Sequence, residues 1–371
     1  MSAATPAFDA SDERAMGRAL ELAALGLETT DPNPRVGCVL VRDGTIVGEG
    51  WHRCAGEAHA EVRALEAAGA RAQGATAYVT LEPCNHFGRT PPCTEALIGA
   101  QVARVVFATQ DPNPQVQGSG AQRLRAAGIR VEQGLCAAAA EALNVGFFRR
   151  MRTGLPYVRV KLAMSLDGRT ALANGRSHWI TGPAARADVQ RWRARSSAVL
   201  TGIGTVLADD PELTVREPAG ALRQPARVVL DTHWRTPASA RLLRSPAPVI
   251  IFGARASAPP PALAAAAGAR LIETDPRDLR AVLSTLARMK CNEILVEAGA
   301  VLAGAFLAAG FADELIVYMA PLLLGPQARA LAELPLLERL EGALRFELHD
   351  TRLCGGDLRL ILQRRAPTPQ N

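Results

Sequence analysis

The period of apolar and polar positions changes repeatedly along the chain, and each change marks an element. Ser11 followed by acidic Asp12 and Glu13 leads into apolar positions at helical spacing, Met16, Leu20 and Ala23, which predicts a helix capped by Ser11. "VGCVLVRDGTIVGEGWH" flanks Asp43-Gly44 with apolar runs, the pattern of a tight hairpin. "HAEVRALEAAG" predicts a helix ending at Gly69, "ATAYVTLE" a strand, and "TEALIGA" a helix starting near Cys93. "RVVFATQ" and "IRVEQG" read as strands on either side of the helix "GAQRLRAAG". Strands alternating with helices predict an α/β sandwich whose sheet is largely parallel after the hairpin.

The rhythm breaks at "FFRRMRTGLPYV", where Gly154 and Pro156 interrupt it. A second α/β series follows. "YVRVKLAMS" is a strand, "SLDGRTAL" an Asp-Gly turn between strands, and "GPAARADVQRWRARS" a helix. "AVLTG", "ARVVLD", "PVIIFG", "EILVEAG" and "DELIVYMAPLLLG" are further strands. "RFELHDTRLCGGDLRLILQRR" reads as a terminal strand pair around Gly355-Gly356, and "APTPQN" as a frayed end. The fold class is α/β in two domains, residues 1–152 and 153–371.

Composition agrees with two cores. The chain has 371 residues, 48% of them hydrophobic, more than one core needs. Charged residues make up 21%, so the body should be globular. A formal charge of +6 suits anionic partners, whether phosphorylated small molecules or nucleic acid, and equally suits a plain solvated surface. The seven cysteines are odd in number and scattered, unlike a disulfide framework, which implies a reducing, cytoplasmic setting. The N-terminus has no basic start before an apolar run, so no signal peptide is expected. No stretch is apolar enough to span a bilayer, so no membrane partner is expected either.

Chemistry concentrates in the first half. His59, Cys84 and Cys93 could supply the three N and S ligands of a catalytic zinc, which leaves one position for water and lowers its pKa toward ~7. Glu61 is then the candidate proton shuttle. Residues two apart in mid-helix diverge, so His59 and Glu61 share a site only if the metal lies off the helix start. Cys93 follows Pro91 and Pro92 at another helix start, where the positive end favours thiolate. His52, Cys54 and His86 are spare ligands, read as polar lining or packing. In the second half, glycine turns enter helices at "AVLTGIGTVLADDPELTVR" and "EILVEAGAVLAGAFL". The Gly299–Gly304 turn suits a phosphate at a helix start or simple packing. Neither stretch has the G-x-G-x-x-G spacing of a Rossmann fingerprint.

The HAE segment and the two Pro-Cys pairs resemble the zinc-dependent cytidine/nucleobase deaminase superfamily, whose signature is H-x-E followed by P-C-x-x-C. Here eight residues, not two, separate the cysteines. The insert "NHFGRTPP" is similar to that of the riboflavin-pathway deaminases, as are "DPNPRVGCVL" and "QDPNPQVQGSG". The resemblance implies a cytidine-deaminase-like α/β/α sandwich, zinc on His59, Cys84 and Cys93, Glu61 as proton shuttle, and His86 and Arg89 of the insert near substrate.

"KLAMSLDGRTA", "SHWITG", "DVQRWRARSSAVLTGIGTVLADDPELTVR" and "LVEAGAVL" resemble the reductase half of the bifunctional riboflavin-biosynthesis deaminase–reductases. That implies a dihydrofolate-reductase-like domain, NADPH as cofactor, and a homo-oligomer, dimer or tetramer. Position by position, Ser177, Arg193, Leu213, Arg216 and Glu297 would contact a phosphoribosyl substrate, Arg193 and Arg216 through its phosphate. Ala163, Trp179, Thr205, Asp209, Thr232 and the turn Gly299, Ala300, Val301, Leu302, Ala303, Gly304 and Ala305 would contact NADPH. Trp179 alone would read as core. The activity implied is zinc-dependent deamination of a diaminohydroxyphosphoribosylaminopyrimidine, then reduction of ribosyl to ribityl. The rivals are a tRNA or nucleobase deaminase with an unrelated C-terminal domain, and a binding protein whose zinc is closed by a fourth ligand, His86 or Cys54. Aromatic content of 4% speaks against a groove for stacked bases.

Overall fold

The protein is described from a computed structural model, for residues 8–364 except 88–90, 115, 217–222, 246, 257 and 267. Arg89 and the 366–371 tail lie outside the described residues. The chain divides into two compact units, Met1–Gly154 and Leu155–Asn371.

The first unit begins with α1 (Ala10–Ala24), and here the expected cap is corrected. Asp9, not Ser11, is the N-cap; its carboxylate accepts from the backbone N–H groups of Ser11 and Asp12 at 2.7 and 2.9 Å. Asp12 reaches back to the N–H of Asp9, so the acidic pair closes a capping box and Ser11 falls inside the first turn. The hairpin β1 (Gly37–Arg42) and β2 (Thr45–Trp51) turns at Asp43 and Gly44, both at positive φ. Then come α2 (Ala60–Ala68), β3 (Thr76–Val79), α3 (Cys93–Gly99), β4 (Arg104–Phe107), α4 (Ser119–Ala126) and β5 (Arg130–Gln133). The helices α5 (Ala137–Leu143) and α6 (Val145–Thr153), absent from the sequence reading, close the unit.

The sheet runs β2-β1-β3-β4-β5, antiparallel through the hairpin and parallel from β3 onward. Its two faces bury separate cores. Ala60, Ala64, Leu97 and Leu124 pack on one, and Met16, Ala19, Leu22 and Ala140 on the other. Gly48 and Gly50 let α2 lie close on β2: a Cβ at either would sit 2.2 or 2.4 Å from the carbonyl oxygen of Ala64 or Ala60. That close approach fixes where α2 begins, and therefore where His59 is held.

The second unit runs β6 (Tyr157–Ser165), β7 (Arg169–Ala171), α7 (Pro183–Arg195), β8 (Ala198–Gly202), α8 (Ile203–Asp209), β9 (Ala226–Leu230), β10 (Val249–Gly253), α9 (Pro261–Ala264) and β11 (Ala269–Glu273). It ends with α10 (Leu279–Arg288), β12 (Glu293–Glu297), α11 (Ala300–Ala308), β13 (Glu314–Ala320), β14 (Arg329–Ala330), β15 (Phe346–Cys354) and β16 (Asp357–Arg364). Nine strands form one sheet in the order β11-β10-β9-β8-β12-β6-β13-β16-β15, parallel as far as β13 and antiparallel beyond it. The Asp-Gly turn lies between strands as expected, but β7 pairs with β14 instead of folding back on β6. Asp167 ties the two segments together: its carboxylate accepts from Ser165 Oγ and from the N–H groups of Leu324 and Gly325. Arg159, a charge inside an apolar strand, is buried against Glu293 and Glu314, so it is a paired structural cation.

Candidate active sites

His59 is the N-cap of α2, in extended conformation at φ −72° and ψ 166°, and Glu61 stands in the first turn behind it. Cys93 opens α3 after Pro92, and Cys84 lies on the loop that follows β3. The N–H of Thr94 donates to the carbonyl of Cys84 at 3.2 Å, which ties loop to helix. One nitrogen and two sulfurs converge so that all lie within 4.8 Å of one another. His59 Nδ1 is 3.2 Å from Cys93 Sγ and 3.6 Å from Cys84 Sγ. Tetrahedral zinc with bonds of ~2.1 Å to nitrogen and ~2.3 Å to sulfur holds such ligands about 3.6 Å apart. The donor set and its spacing therefore fit zinc, with three protein ligands.

The electrostatics point the same way. Cys84 is pushed down to about 4, first by the hydrogen bond it accepts from Cys93 and then, against burial, by His59. Cys93 moves up, because it gives that hydrogen bond, is buried and faces Glu61. His59 is raised by its bond to Cys84. Glu61 is buried, 3% exposed, and burial holds its carboxyl above the usual range despite the nearby imidazole. A buried carboxyl beside the ligand cluster is placed to relay protons.

The spare ligands separate. His52 is buried, with one ring nitrogen 3.1 Å from Asn33 Nδ2 and the other 3.3 Å from the carbonyl of Ala58, so both are engaged. It stands edge-on to His59, ring centres 5.2 Å apart. His86 is exposed, and neither it nor Cys54 belongs to the ligand cluster. Asp111, in the "QDPNPQVQGSG" segment, was not singled out from sequence. Burial raises it to about 6, with Glu82 and Cys84 adding to the rise.

In the second unit, most of the expected residues line one cleft of about 1200 Å³. Ala163, Ser177, Trp179, Thr205, Asp209, Leu213, Arg216, Thr232, Gly299, Ala300, Val301, Leu302 and Ala305 all face it, as do Arg193 and Glu297. Two expectations are corrected. Ala303 is fully buried in the core, and Gly304 is turned onto the strap at Glu333, whose carbonyl oxygen would lie 1.9 Å from a Cβ there. At α-helical spacing only one face of α11 looks into the cleft. Arg193 is also not a free phosphate ligand. Its fork grips Glu297 at 2.6 and 3.0 Å, and its remaining arm donates to the carbonyl of Thr214 at 2.9 Å. Trp179 is not core but 66% exposed, with the Arg186 guanidinium 4.5 Å over its ring. His178 Nε2 lies 3.3 Å from Asp209 Oδ1 and links that loop to α8.

Lys161 is the residue that sequence reasoning passed over. It lines the cleft beside Glu297; burial lowers its pKa, and Arg193 adds to that while Glu297 opposes it. Glu297 is lowered, because Arg193, Lys161 and Arg216 outweigh its burial. The signal was present in "YVRVKLAMS", where a lysine interrupts an apolar strand. The α11 N-terminus at Gly299 has no side-chain cap, and Gly299, Ala300, Val301 and Leu302 line the cleft.

Residues 156–360 match the family model described as RibD C-terminal domain, and residues 9–109 match the cytidine and deoxycytidylate deaminase zinc-binding region. The chain is 52% identical over 364 residues to riboflavin biosynthesis protein RibD of Escherichia coli (strain K12), covering 95% of this chain and 99% of that one. Its structure is similar to that of Acinetobacter baumannii RibD, form 1, with TM-score 0.91 at 50% identity, covering 96% of this chain and 99% of the other. It is also similar to a diaminohydroxyphosphoribosylaminopyrimidine deaminase/5-amino-6-(5-phosphoribosylamino)uracil reductase from Thermotoga maritima. There the TM-score is 0.85 at 33% identity, over 96% and 99% of the two chains.

Proposed function

The chain belongs to the RibD family, the bifunctional deaminase–reductases of riboflavin biosynthesis, and from that premise we propose how its own residues carry the two reactions. The substrate is a diaminohydroxyphosphoribosylaminopyrimidine, the compound named for the Thermotoga relative. The observation that carries the first step is the convergence of His59, Cys84 and Cys93 around one point with buried Glu61 beside them. A zinc ion bound there would make water acidic enough to attack at neutral pH. Glu61 takes one proton from that water and delivers it to the ring nitrogen; it then takes the second from the hydroxyl left on the ring carbon and delivers it to the departing amine, which leaves as ammonia. Water is consumed, the C–N bond breaks, and oxygen replaces the amine. His52, its pKa lowered by burial, and Asp111 shape the wall around the base.

In the second unit, a nicotinamide cofactor would supply the hydride that turns ribosyl into ribityl. We assign NADPH to the cleft along Ala163, Trp179, Thr205, Asp209, Thr232 and the Gly299–Leu302 and Ala305 face of α11. Ser177, Leu213 and Arg216 hold the phosphoribosyl group. Arg193 positions Glu297 toward the sugar hydroxyls, and protonated Lys161 is placed to donate the accompanying proton.

The partners are a small phosphorylated substrate and a second copy of the chain, with no role for nucleic acid or membrane. The edge strand β15 is exposed along most of its length and carries Leu348 and Leu353, 59% and 73% exposed, which suits a dimer or tetramer through the reductase unit. Among the described residues no helix is long and apolar enough to cross a membrane. All seven cysteines are free, so the cytoplasm is the compartment we assign.

The test is mass spectrometry of the pyrimidine substrate incubated with zinc-loaded protein, first without and then with NADPH. A gain of about 1 Da, then about 2 Da more, is expected for amine-to-oxygen exchange and then hydride plus proton. No change in either tube, with folded and metal-loaded protein, would overturn the assignment.

A further inference from the structure

The cleft of the second unit is rich in guanidinium groups, and most are already engaged. Arg193 is held by Glu297, Arg241 by Glu212, and Arg277 by Asp275, while Arg186 donates to the Thr181 carbonyl and stacks on Trp179. Arg329 also faces the cleft, and among the described residues its side chain has no carboxylate partner. It is nevertheless held in place. Arg329 pairs with Ala171 across the short β7–β14 ladder, and the next residue accepts at its carbonyl from Thr170 Oγ1 at 3.2 Å. Asp167 anchors the same strap through Leu324 and Gly325.

The guanidinium itself occupies the space above Gly175. A Cβ on that residue would lie 2.9 Å from one of its terminal nitrogens, and Gly175 is at φ +86°. Gly175 thus offers both the backbone turn and the room the planar group needs. Four residues on, the strap touches α11: the N–H of Glu333 donates to the carbonyl of Ala300 at 3.0 Å. The strap therefore carries an exposed guanidinium, without a carboxylate partner among the described residues, past the helix whose uncapped N-terminus lines the same cleft. A guanidinium and a helix N-terminus that face one cavity share one preferred ligand, a phosphate.

We propose that Arg329 is a phosphate anchor for the nicotinamide cofactor of the reductase unit, a role outside the residues carried over by family resemblance. The proposal rests on the reductase reading above. A phosphate group could also come from the sugar substrate, and the experiment separates the sources. In the full-length protein, R329Q is compared with wild type for the dissociation constants of NADPH and NADH, read from reduced-nicotinamide fluorescence, and for the KM of the deaminated phosphoribosyl substrate.

Loss of one charge-assisted hydrogen bond predicts a rise of about tenfold or more in the NADPH dissociation constant, with partial recovery in R329K. An equal rise for NADH supports the proposal and puts the contact on the diphosphate. A rise for NADPH alone supports it and puts the contact on the 2′-phosphate. A rise confined to the substrate KM, or no change in any of the three, overturns it. Failure of the wild-type protein to bind either dinucleotide would instead overturn the reductase reading itself.

Discussion

The two active regions are built on different principles. The deaminase site is small. Three ligand atoms lie within 4.8 Å, set by two helix starts and one loop that come from a short span of sequence. The reductase cleft is about 1200 Å³ and gathers residues from Lys161 to Glu333. In the first, each side chain acts by identity, since only His and Cys supply the donors that zinc takes in this set. In the second, much of the surface is backbone and small side chains, and charge is managed by pairing: Glu297 sits among Arg193, Lys161 and Arg216. A centre of a few atoms tolerates no substitution and leaves a mark in the sequence. A large cleft spreads its work, and single changes there should cost less.

That contrast can be broken by mutation. Glu61→Gln should have the largest effect. We expect deamination to fall by about 10³-fold or more, while zinc content and reduction of supplied deaminated substrate persist. Metal analysis and separate assays of the two half-reactions check it, and loss of both activities would mean the units are coupled. Glu297→Gln comes next. It releases the Arg193 fork and leaves Lys161 and Arg193 facing each other without a carboxylate. Reductase kcat/KM should fall by about 10²-fold with deamination unchanged. A fall below about threefold would mean the pair is only structural.

The smallest effect concerns pH. Lys161 is lowered first by burial, so its proton is lost at a pH below the ordinary lysine value. In the proposed mechanism the protonated form is the donor. Reduction should therefore hold at lower pH and decline as pH rises through the lowered value, while deamination shows no matching limb. Lys161→Gln should remove that limb from the kcat/KM profile. A basic limb unchanged in the variant would assign the titration to another group.

Much of the first unit was legible in the sequence. The hairpin turn at Asp43-Gly44, the start of α2 after His59 and of α3 at Cys93 all follow from local chemistry. The cap was misplaced by two residues because Asp9 and Ser11 are both good caps, and only the reach of Asp12 back to Asp9 decides between them. The helices α5 and α6 were passed over, since an alanine run and an arginine-rich stretch show weak periodicity until they dock on the sheet.

In the second unit the strands "YVRVKLAMS" and "EILVEAG" were readable, but their consequences were not. The long-range pairing of β7 with β14 accompanies the bonds from Asp167 to segment 324–325, some 157 residues away.

What the sequence determined alone was therefore the order of most elements, the division into two α/β units and the candidate His59, Cys84 and Cys93 cluster, because each rests on periodicity, turn chemistry or donor identity within a few residues. Tertiary structure alone decided that Arg193 spends its fork on Glu297, that Ala303 and Gly304 face away from the cleft, and that Lys161 and Arg329 face into it. Those outcomes depend on which side of a helix or strand meets which distant neighbour, and a partner for a charge exists only once the sheet has brought the two together.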